Sequence, residues 1–244
     1  DTNSFQLNLE ELKKKISNRT KAIIINSPNN PSGVIYSEET IKELSNILRD
    51  KELEFKKDIY LISDEPYREI VYENTKVPCI LNYYNNSFIG YSYSKSLSLP
   101  GERIGYIVFN PKMNTFEDII SALNIANRIL GFVNAPSLFQ RVIKESLKLE
   151  VDVNIYKKNR DLLYNHLVSI GFECLKPDGA FYLFPKSPIE DDVKFCEDAK
   201  KFNILAVPGK TFGCPGYFRL SYCISYDKIK RSLKAFEELI KLYK

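Results

Sequence analysis

The chain has 244 residues, of which 44% are hydrophobic and 27% charged, and its formal net charge is +4. At about 150 residues per domain, this length holds one large domain or two modest ones, and the composition excludes disordered and collagen-like classes. The longest apolar runs, such as 22–25, are far shorter than the roughly 20 residues of a membrane-spanning helix. Because charges of both signs are interspersed, a nucleic-acid partner is not predicted.

Histidine and cysteine usage argues against a metal site. His166 is the only histidine, which excludes zinc sites built on two or more imidazoles. The five cysteines are odd in number and contain no C-x-x-C pair, so neither a disulfide framework nor a thiolate metal site is predicted. Reduced thiols fit a cytoplasmic protein. The chain begins at Asp1 without a basic-then-apolar leader, and we expect it to be part of a longer protein.

The first half of the chain alternates helical and strand patterns. Leu9, Leu12 and Ile16 recur at helical spacing, and a β-branched run at 21–26 then leads into a turn-rich loop over 27–33. Ser37 is a predicted N-cap for the amphipathic helix that follows. Further strands are predicted at 59–62, 87–91 and 104–109.

Helical periodicity dominates from 115 to 170, with a break at 135–137 and Gly171 as the stop signal. Beyond it, we predict strands at 172–175, 180–184, 204–207 and 218–222, and helices at 191–202 and 227–242. The pattern predicts an α/β fold with a large domain over 1–155 and a smaller C-terminal domain over 156–244.

Polar side chains follow three successive predicted strands, where ligands of open α/β sheets bind. Singly, each is more often a turn, a cap or an exposed residue. Together at one end of one sheet, they indicate a binding site. The candidates are Asn30, Asp64, Tyr67, Ser92, Ser94 and Lys95, with Arg103 on the turn into the fourth strand.

Three segments resemble the cofactor segments of class I/II aminotransferases, which are fold-type I pyridoxal-phosphate enzymes. They are Asn30-Pro31-Ser32-Gly33, Ser63-Asp64-Glu65-Pro66-Tyr67 and Ser92-x-Ser94-Lys95-x-x-x-x-Pro100-Gly101-x-Arg103-x-Gly105. Phe218-Arg219-Leu220-Ser221 is similar to the family's substrate-carboxylate segment, and Pro177-x-Gly179-Ala180-Phe181-Tyr182 precedes it. The resemblance implies a mostly parallel large-domain sheet and a smaller C-terminal α/β domain.

The resemblance assigns the central chemistry to two residues. Lys95 would form a Schiff base with pyridoxal 5'-phosphate and then carry the proton between the substrate and the cofactor. Asp64 would face the pyridine nitrogen and keep it protonated, so that the ring accepts electrons.

The remaining assignments concern geometry. Tyr67 and Asn30 would hydrogen-bond the phenolic oxygen of the cofactor. Ser92, Ser94 and Arg103 would bind its phosphate, and Arg219 would hold the substrate carboxylate, because a guanidinium offers two parallel donors to an anion.

Parts that the family brings from upstream are absent, so the chain resembles the C-terminal three-fifths of such an enzyme. We therefore expect the intact protein to bind the cofactor well, and this stretch alone to bind it weakly and to be poorly active. Its unpaired sheet edges favour association.

The preferred hypothesis is an aminotransferase acting on a small α-amino acid and an α-keto acid, as a cytoplasmic homodimer with no nucleic-acid or membrane partner. One alternative is other chemistry of the same cofactor, such as a C–S lyase or an aminocyclopropane-carboxylate-synthase-like enzyme. Another is a weakly catalytic, ligand-sensing aminotransferase-like domain of a regulator, and a plain α/β scaffold is the third.

Overall fold

The structure is a computed structural model that describes residues 4–244. The α-helices among these residues are α1 Leu9–Lys15, α2 Glu38–Phe55, α3 Tyr93–Ser96, α4 Phe116–Ile129, α5 Ser137–Ser146, α6 Val153–Ser169, α7 Asp192–Lys200 and α8 Tyr226–Ile240, and a four-residue 3-10 helix spans Gly209–Phe212. The strands are β1 Ala22–Asn26, β2 Tyr60–Asp64, β3 Ser87–Ser92, β4 Gly105–Phe109, β5 Tyr182–Leu183, β6 Val207–Pro208 and β7 Phe218–Ser221. No helix among these residues is long and apolar enough to cross a membrane.

The chain divides into two compact units. The first unit comprises residues up to Pro28, then Ile35–Glu69 and Lys76–Val151. The second unit comprises Asn29–Val34, Ile70–Thr75 and Asp152–Lys244. Two short segments from the first half of the sequence thus belong to the second unit, while the division into domains 1–155 and 156–244 stays a prediction.

The first unit contains a four-stranded sheet in the order β1-β2-β3-β4, with β1, β2 and β3 parallel and β4 antiparallel to β3. Its core lies between one face of this sheet and helix α2. The buried side chains include Ile25, Leu61 and Ile89 from the strands and Leu44 and Leu48 from the helix. The predicted mostly parallel α/β sheet is confirmed.

Helix α2 begins as the sequence predicts. The Ser37 hydroxyl accepts a hydrogen bond from the Thr40 backbone N–H at 3.1 Å, which satisfies one of the unpaired amides at the helix start. Glu38 and Glu39 follow in the first turn, where negative charge is favourable. The helix therefore presents Ile41, Leu44 and Leu48 to the sheet.

The second unit is built on a three-stranded antiparallel sheet in the order β5-β7-β6. Helices α6 and α8 pack on each other, and α7 precedes β6. The segment at 172–175 is not a strand, so that prediction is wrong. Phe172 there is buried against the rings of Phe195 and Phe218, so its apolar character reflects packing and not strand pairing.

Arg160 of α6 joins the short segment 70–75 to the rest of the second unit. Its side chain is only 1% exposed, and its guanidinium donates to both carboxylate oxygens of Glu73, at 2.9 and 2.5 Å. It also donates to the Pro177 carbonyl at 2.8 Å and to the Asp161 carboxylate. A buried guanidinium needs partners on all its donors, and these groups supply them.

Candidate active site

The three parallel strands of the first unit end in polar residues at one edge of the sheet. Asn26 ends β1, Asp64 ends β2 and Ser92 ends β3. Asn26 pairs in register with Asp64, and Asp64 with Gly90. Parallel strands bring their carboxyl ends to the same edge, so this edge collects the predicted candidates of the first unit.

Asp64 lies at the exposed end of β2 beside Asn26, a residue that the sequence did not single out. The Asn26 side-chain amide donates to the Asp64 carbonyl at 2.8 Å and to its carboxylate at 3.2 Å. Desolvation nevertheless raises the pKa of the Asp64 carboxyl. A cation facing this carboxylate would oppose that shift, so the position suits a positively charged ligand group.

The segment that follows β3 is ordered by its serines. The Ser92 hydroxyl caps α3 by accepting from the Ser94 backbone N–H at 3.1 Å, and the two hydroxyl oxygens lie 2.6 Å apart. Lys95 is the third residue of this helix, and its Nζ lies 5.8 Å from the ring centroid of the buried Tyr67. The structure therefore brings Lys95 and Tyr67 together, as the motif order implies.

Tyrosines that the sequence did not single out support this segment. The rings of Tyr91, Tyr93 and Tyr106 lie 4.9–5.7 Å apart, centroid to centroid. The Tyr91 hydroxyl shares a hydrogen bond of 2.6 Å with the Ser96 hydroxyl. Burial raises the pKa of Tyr91 above its ordinary value, so this phenol keeps its proton into the alkaline range.

Arg103 precedes β4 in a left-handed backbone conformation with φ +51°. Its guanidinium is exposed and donates to the Pro100 carbonyl at 2.9 Å, so in the described chain it makes no hydrogen bond to Ser92 or Ser94. Two residues later, Gly105 fills a tight space: a Cβ there would lie 2.2 Å from the Tyr91 carbonyl oxygen. The glycine lets β4 approach β3 closely, which fixes where the strand after Arg103 begins.

Arg219 is the predicted anion-binding residue of the second unit. Its Nη1 donates to Asn30 Oδ1 at 2.8 Å, and its guanidinium carbon lies 4.6 Å from the Tyr182 ring centroid and 4.9 Å from that of Phe212. Within residues 4–244, no ion pair involves Arg219. A cation with neutral neighbours is suited to bind an anion.

The turn that carries Asn30 is fixed within the second unit. Gly33 has φ +71°, and a Cβ there would lie 2.3 Å from the Pro177 Cβ. The Gly33 carbonyl accepts from the backbone N–H groups of Asp178 and Gly179, at 3.1 and 2.9 Å. The two segments that the sequence flagged separately, 30–33 and 177–182, therefore form one structure that holds Asn30 against Arg219.

Among residues 4–244, no group of three or more His, Cys, Asp or Glu side chains is arranged to hold a metal ion.

The predicted site residues are divided between the two units. The first unit contains Asp64, Tyr67, Ser92, Ser94, Lys95 and Arg103, and the second contains Asn30 and Arg219. Their individual roles stay predictions.

Known proteins resemble this chain along nearly its whole length. A probable aspartate/prephenate aminotransferase of Aquifex aeolicus is 35% identical over 257 residues, covering 96% of this chain and 62% of the relative. An aminotransferase structure from Eubacterium rectale has a TM-score of 0.97 at 51% identity and covers 100% of this chain and 61% of that one. The structure of aspartate aminotransferase from Thermus thermophilus with maleate has a TM-score of 0.86 at 27% identity, covering 98% and 62%.

These structures define the architecture as the α/β fold of fold-type I aminotransferases. The family of aminotransferases class I and II matches residues 1–236, and the chain belongs to that family. Members of the family depend in general on pyridoxal phosphate. The chain spans about three-fifths of the length of the curated relatives that it matches.

Proposed function

We propose that the protein is a pyridoxal-phosphate-dependent aminotransferase that moves an amino group between an α-amino acid and an α-keto acid. The observation that carries this proposal is the placement of Lys95. Lys95 lies in the serine-capped helix α3, against the ring of Tyr67. This helix follows β3 at the carboxyl edge of the parallel sheet, and β3 pairs with β2, which ends in Asp64. Family membership gives the same answer from the sequence.

The residues present fit the chemistry of the proposed cofactor. The first unit offers a carboxylate, a primary amine, a guanidinium and a pair of serine hydroxyls on neighbouring elements. The carboxylate matches a pyridinium nitrogen, and the amine matches an aldehyde. The guanidinium and the hydroxyls together match a phosphate. When bound, the cofactor supplies an electron-accepting ring that stabilises negative charge on the substrate Cα.

In this proposal Lys95 has two tasks. Its amine would hold the cofactor aldehyde covalently and, once the substrate amine has displaced it, would take the proton from the substrate Cα and deliver it to the cofactor carbon. The amine must be unprotonated for both tasks. Asp64 would hold a proton on the pyridine nitrogen, and Asn26 orients the Asp64 carboxylate for that contact.

Asn30 would contact the phenolic oxygen of the cofactor as well as Arg219. Its Oδ1 accepts from Arg219 in the structure, and its Nδ2 would donate to the phenolic oxygen. Tyr67 would donate to the same oxygen through its hydroxyl. Ser92, Ser94 and Arg103 would bind the phosphate.

Arg219 would bind the substrate α-carboxylate with the two parallel donors of its guanidinium. That contact orients the Cα–H bond toward the base, and orientation of this kind lowers the barrier of a proton transfer. The names of the relatives favour aspartate or another dicarboxylate as the amino donor. A cytoplasmic homodimer remains part of the proposal.

Product analysis tests the reaction. The full-length protein with pyridoxal phosphate should convert aspartate and 2-oxoglutarate into oxaloacetate and glutamate without releasing ammonia. Release of ammonia or a thiol, with no new amino acid, would contradict transamination and favour elimination chemistry. Binding of cofactor and amino acids without turnover would favour the regulator-domain alternative.

A further inference from the structure

We infer that Asp192 is a positioning residue for the carboxylate-binding arginine, acting through the single 3-10 turn Gly209–Phe212, which we call the loop. The inference rests on the proposed function, because it concerns the same Arg219. It adds a residue to which neither the sequence motifs nor the family resemblance assigned a role.

Asp192 is a buried acid in the first turn of helix α7 that does not cap the helix. Its residue surface is only 3% exposed, although a carboxylate is costly to remove from water. The N-cap role for α7 belongs to Asp191, whose carboxylate accepts from the Lys194 backbone N–H at 2.9 Å. The Asp192 carboxylate is instead directed at another segment, so its burial serves that segment.

The partner of Asp192 is the loop that carries Phe212. Asp192 Oδ2 accepts from the Lys210 backbone N–H at 2.7 Å. The preceding Gly209 donates its own N–H to the Tyr217 carbonyl at 2.7 Å, and a Cβ at Gly209 would lie 2.2 Å from the Cys214 carbonyl oxygen. Two successive backbone N–H groups of the loop are thus hydrogen-bonded, that of Gly209 to the Tyr217 carbonyl and that of Lys210 to Asp192 of α7.

The loop delivers the Phe212 ring to Arg219. The ring centroid lies 4.9 Å from the guanidinium carbon, and the ring also packs edge-on against Phe184. Strand β6 leads into the loop and pairs with β7, where Val207 is opposite Arg219. Since an arginine side chain has several rotatable bonds, a fixed ring beside it limits the orientations of the guanidinium.

The inferred sequence of contacts is therefore short. The Asp192 carboxylate holds the Lys210 amide, the held loop fixes the Phe212 ring, and the ring together with Asn30 fixes the guanidinium of Arg219. A guanidinium held in one orientation binds a carboxylate without first losing conformational entropy, which strengthens binding. Loss of the Asp192 acceptor would leave the Lys210 N–H unpaired and free the loop.

The test measures carboxylate binding directly. Full-length protein loaded with pyridoxal phosphate is titrated with maleate, an unreactive dicarboxylate, by calorimetry, and KM and kcat for aspartate are measured in parallel. Asp192→Ala should raise the Kd of maleate and the KM of aspartate roughly tenfold, with a smaller change in kcat, the size expected for one lost hydrogen bond. Asp192→Asn keeps an acceptor oxygen and should restore values near wild type.

Asp191→Ala is the matched control. It removes a neighbouring carboxylate and the helix cap but leaves the loop alone, so it should lower thermal stability without changing the Kd of maleate. Asp192→Ser serves if Asp192→Ala does not fold, because serine suits a helix start and its hydroxyl is too short to reach Lys210. It should show the same tenfold loss.

Phe212→Leu tests whether the Phe212 ring transmits the effect of Asp192, and Phe202→Leu is its control. If Asp192 acts through the Phe212 ring, the double variant Asp192→Ala/Phe212→Leu should bind maleate about as weakly as each single variant. If the two substitutions instead multiply, so that the double variant raises the Kd of maleate near a hundredfold, the inference is overturned. It is also overturned if Asp192→Ala binds maleate as well as Asp191→Ala does. A wild-type protein that neither binds maleate nor transfers an amino group would instead defeat the proposed function itself.

Discussion

At the scale of single residues, the proposed reaction depends on a carboxylate that stays charged when the pyridine ring faces it. Asp64 meets this need through position, since it ends β2 at the sheet edge and receives the Asn26 amide. Desolvation raises its pKa in the protein without a ligand, so protonation of Asp64 at low pH should weaken cofactor binding. A protonated pyridine nitrogen would reverse this shift.

Asp64→Asn tests that role. The variant keeps the shape of the side chain but cannot hold a proton on the pyridine nitrogen, so kcat should fall by roughly 100-fold or more, in the range of lost acid–base assistance. Steady-state kinetics and the absorption spectrum of the bound cofactor measure the effect. Asp118→Asn, an exposed acid in the first turn of α4, is the control and should leave kcat unchanged. Equal kcat for Asp64→Asn and wild type would remove Asp64 from the site.

At the scale of elements, an ion cluster fastens the segment 70–75 to α6. The Arg160 side chain lowers the pKa of Glu73 by hydrogen bonding to it. Burial alone would raise the pKa of Asp161, but hydrogen bonds from Lys157, Lys176 and Arg160 outweigh it and lower that pKa to about 2. Both acids thus have folded-state pKa values below their unfolded ones, and their contribution to stability is present above pH of about 4 and is lost as the pH falls toward 2.

Glu73→Gln should therefore destabilise the second unit at neutral pH. We expect a loss of about 1–2 kcal/mol, less than for a fully buried ion pair, because the Glu73 side chain is 48% exposed. Urea unfolding at pH 7 and pH 3 measures it, and the difference from wild type should shrink at pH 3. Glu238→Gln breaks an exposed ion pair with Lys241 and should cost less than about 0.5 kcal/mol. A difference between Glu73→Gln and wild type that grows toward low pH would contradict this account.

The sequence predicted the elements well where local signals agreed with packing. The strand ending at Asn26 and the helix capped by Ser37 were confirmed, because β-branched runs and cap residues act locally. The strand at 172–175 was wrong, because this segment forms no strand although the Glu173 carbonyl accepts from the Lys186 N–H, and Phe172 is buried by side-chain packing. Arg160 was not foreseen either, because its partner Glu73 is 87 residues away in the sequence.

In the candidate site too, the sequence predicted local features but not contacts between residues far apart in the chain. Lys95, Tyr67 and Asp64 could be named from motif spacing, and the structure brings Lys95 and Tyr67 together. The contact between Asn30 and Arg219 spans 189 residues, and no local pattern could predict it. The one available signal for Phe212 was its place before Gly213 in a glycine-flanked turn, which predicts a loop but not its neighbour.

At the scale of the whole molecule, helix α4 of the first unit presents exposed apolar side chains. Ile125, Ile129, Leu130 and Phe132, in α4 and just beyond it, are exposed, and none of the α4 residues is buried. Exposed large apolar side chains that cluster along the chain suit an interaction site, which agrees with the proposed homodimer.

Ile129→Glu should therefore lower the mass of the full-length protein toward that of a monomer, measured by sedimentation at micromolar concentration. Leu53→Glu is a matched control on α2, because Leu53 is 78% exposed and Ile129 is 79% exposed. The control should leave the mass unchanged. If both variants sediment as wild type does, α4 is not part of a subunit interface.

The most direct test of the central claim is to find which lysine holds the cofactor. The full-length protein is mixed with pyridoxal phosphate and reduced with borohydride, and the labelled residue is mapped by mass spectrometry, with Lys95→Ala as the control. The account predicts that Lys95 alone carries the label among the chain's 26 lysines and that Lys95→Ala carries none. A label scattered over other lysines, or one retained in Lys95→Ala, would contradict it.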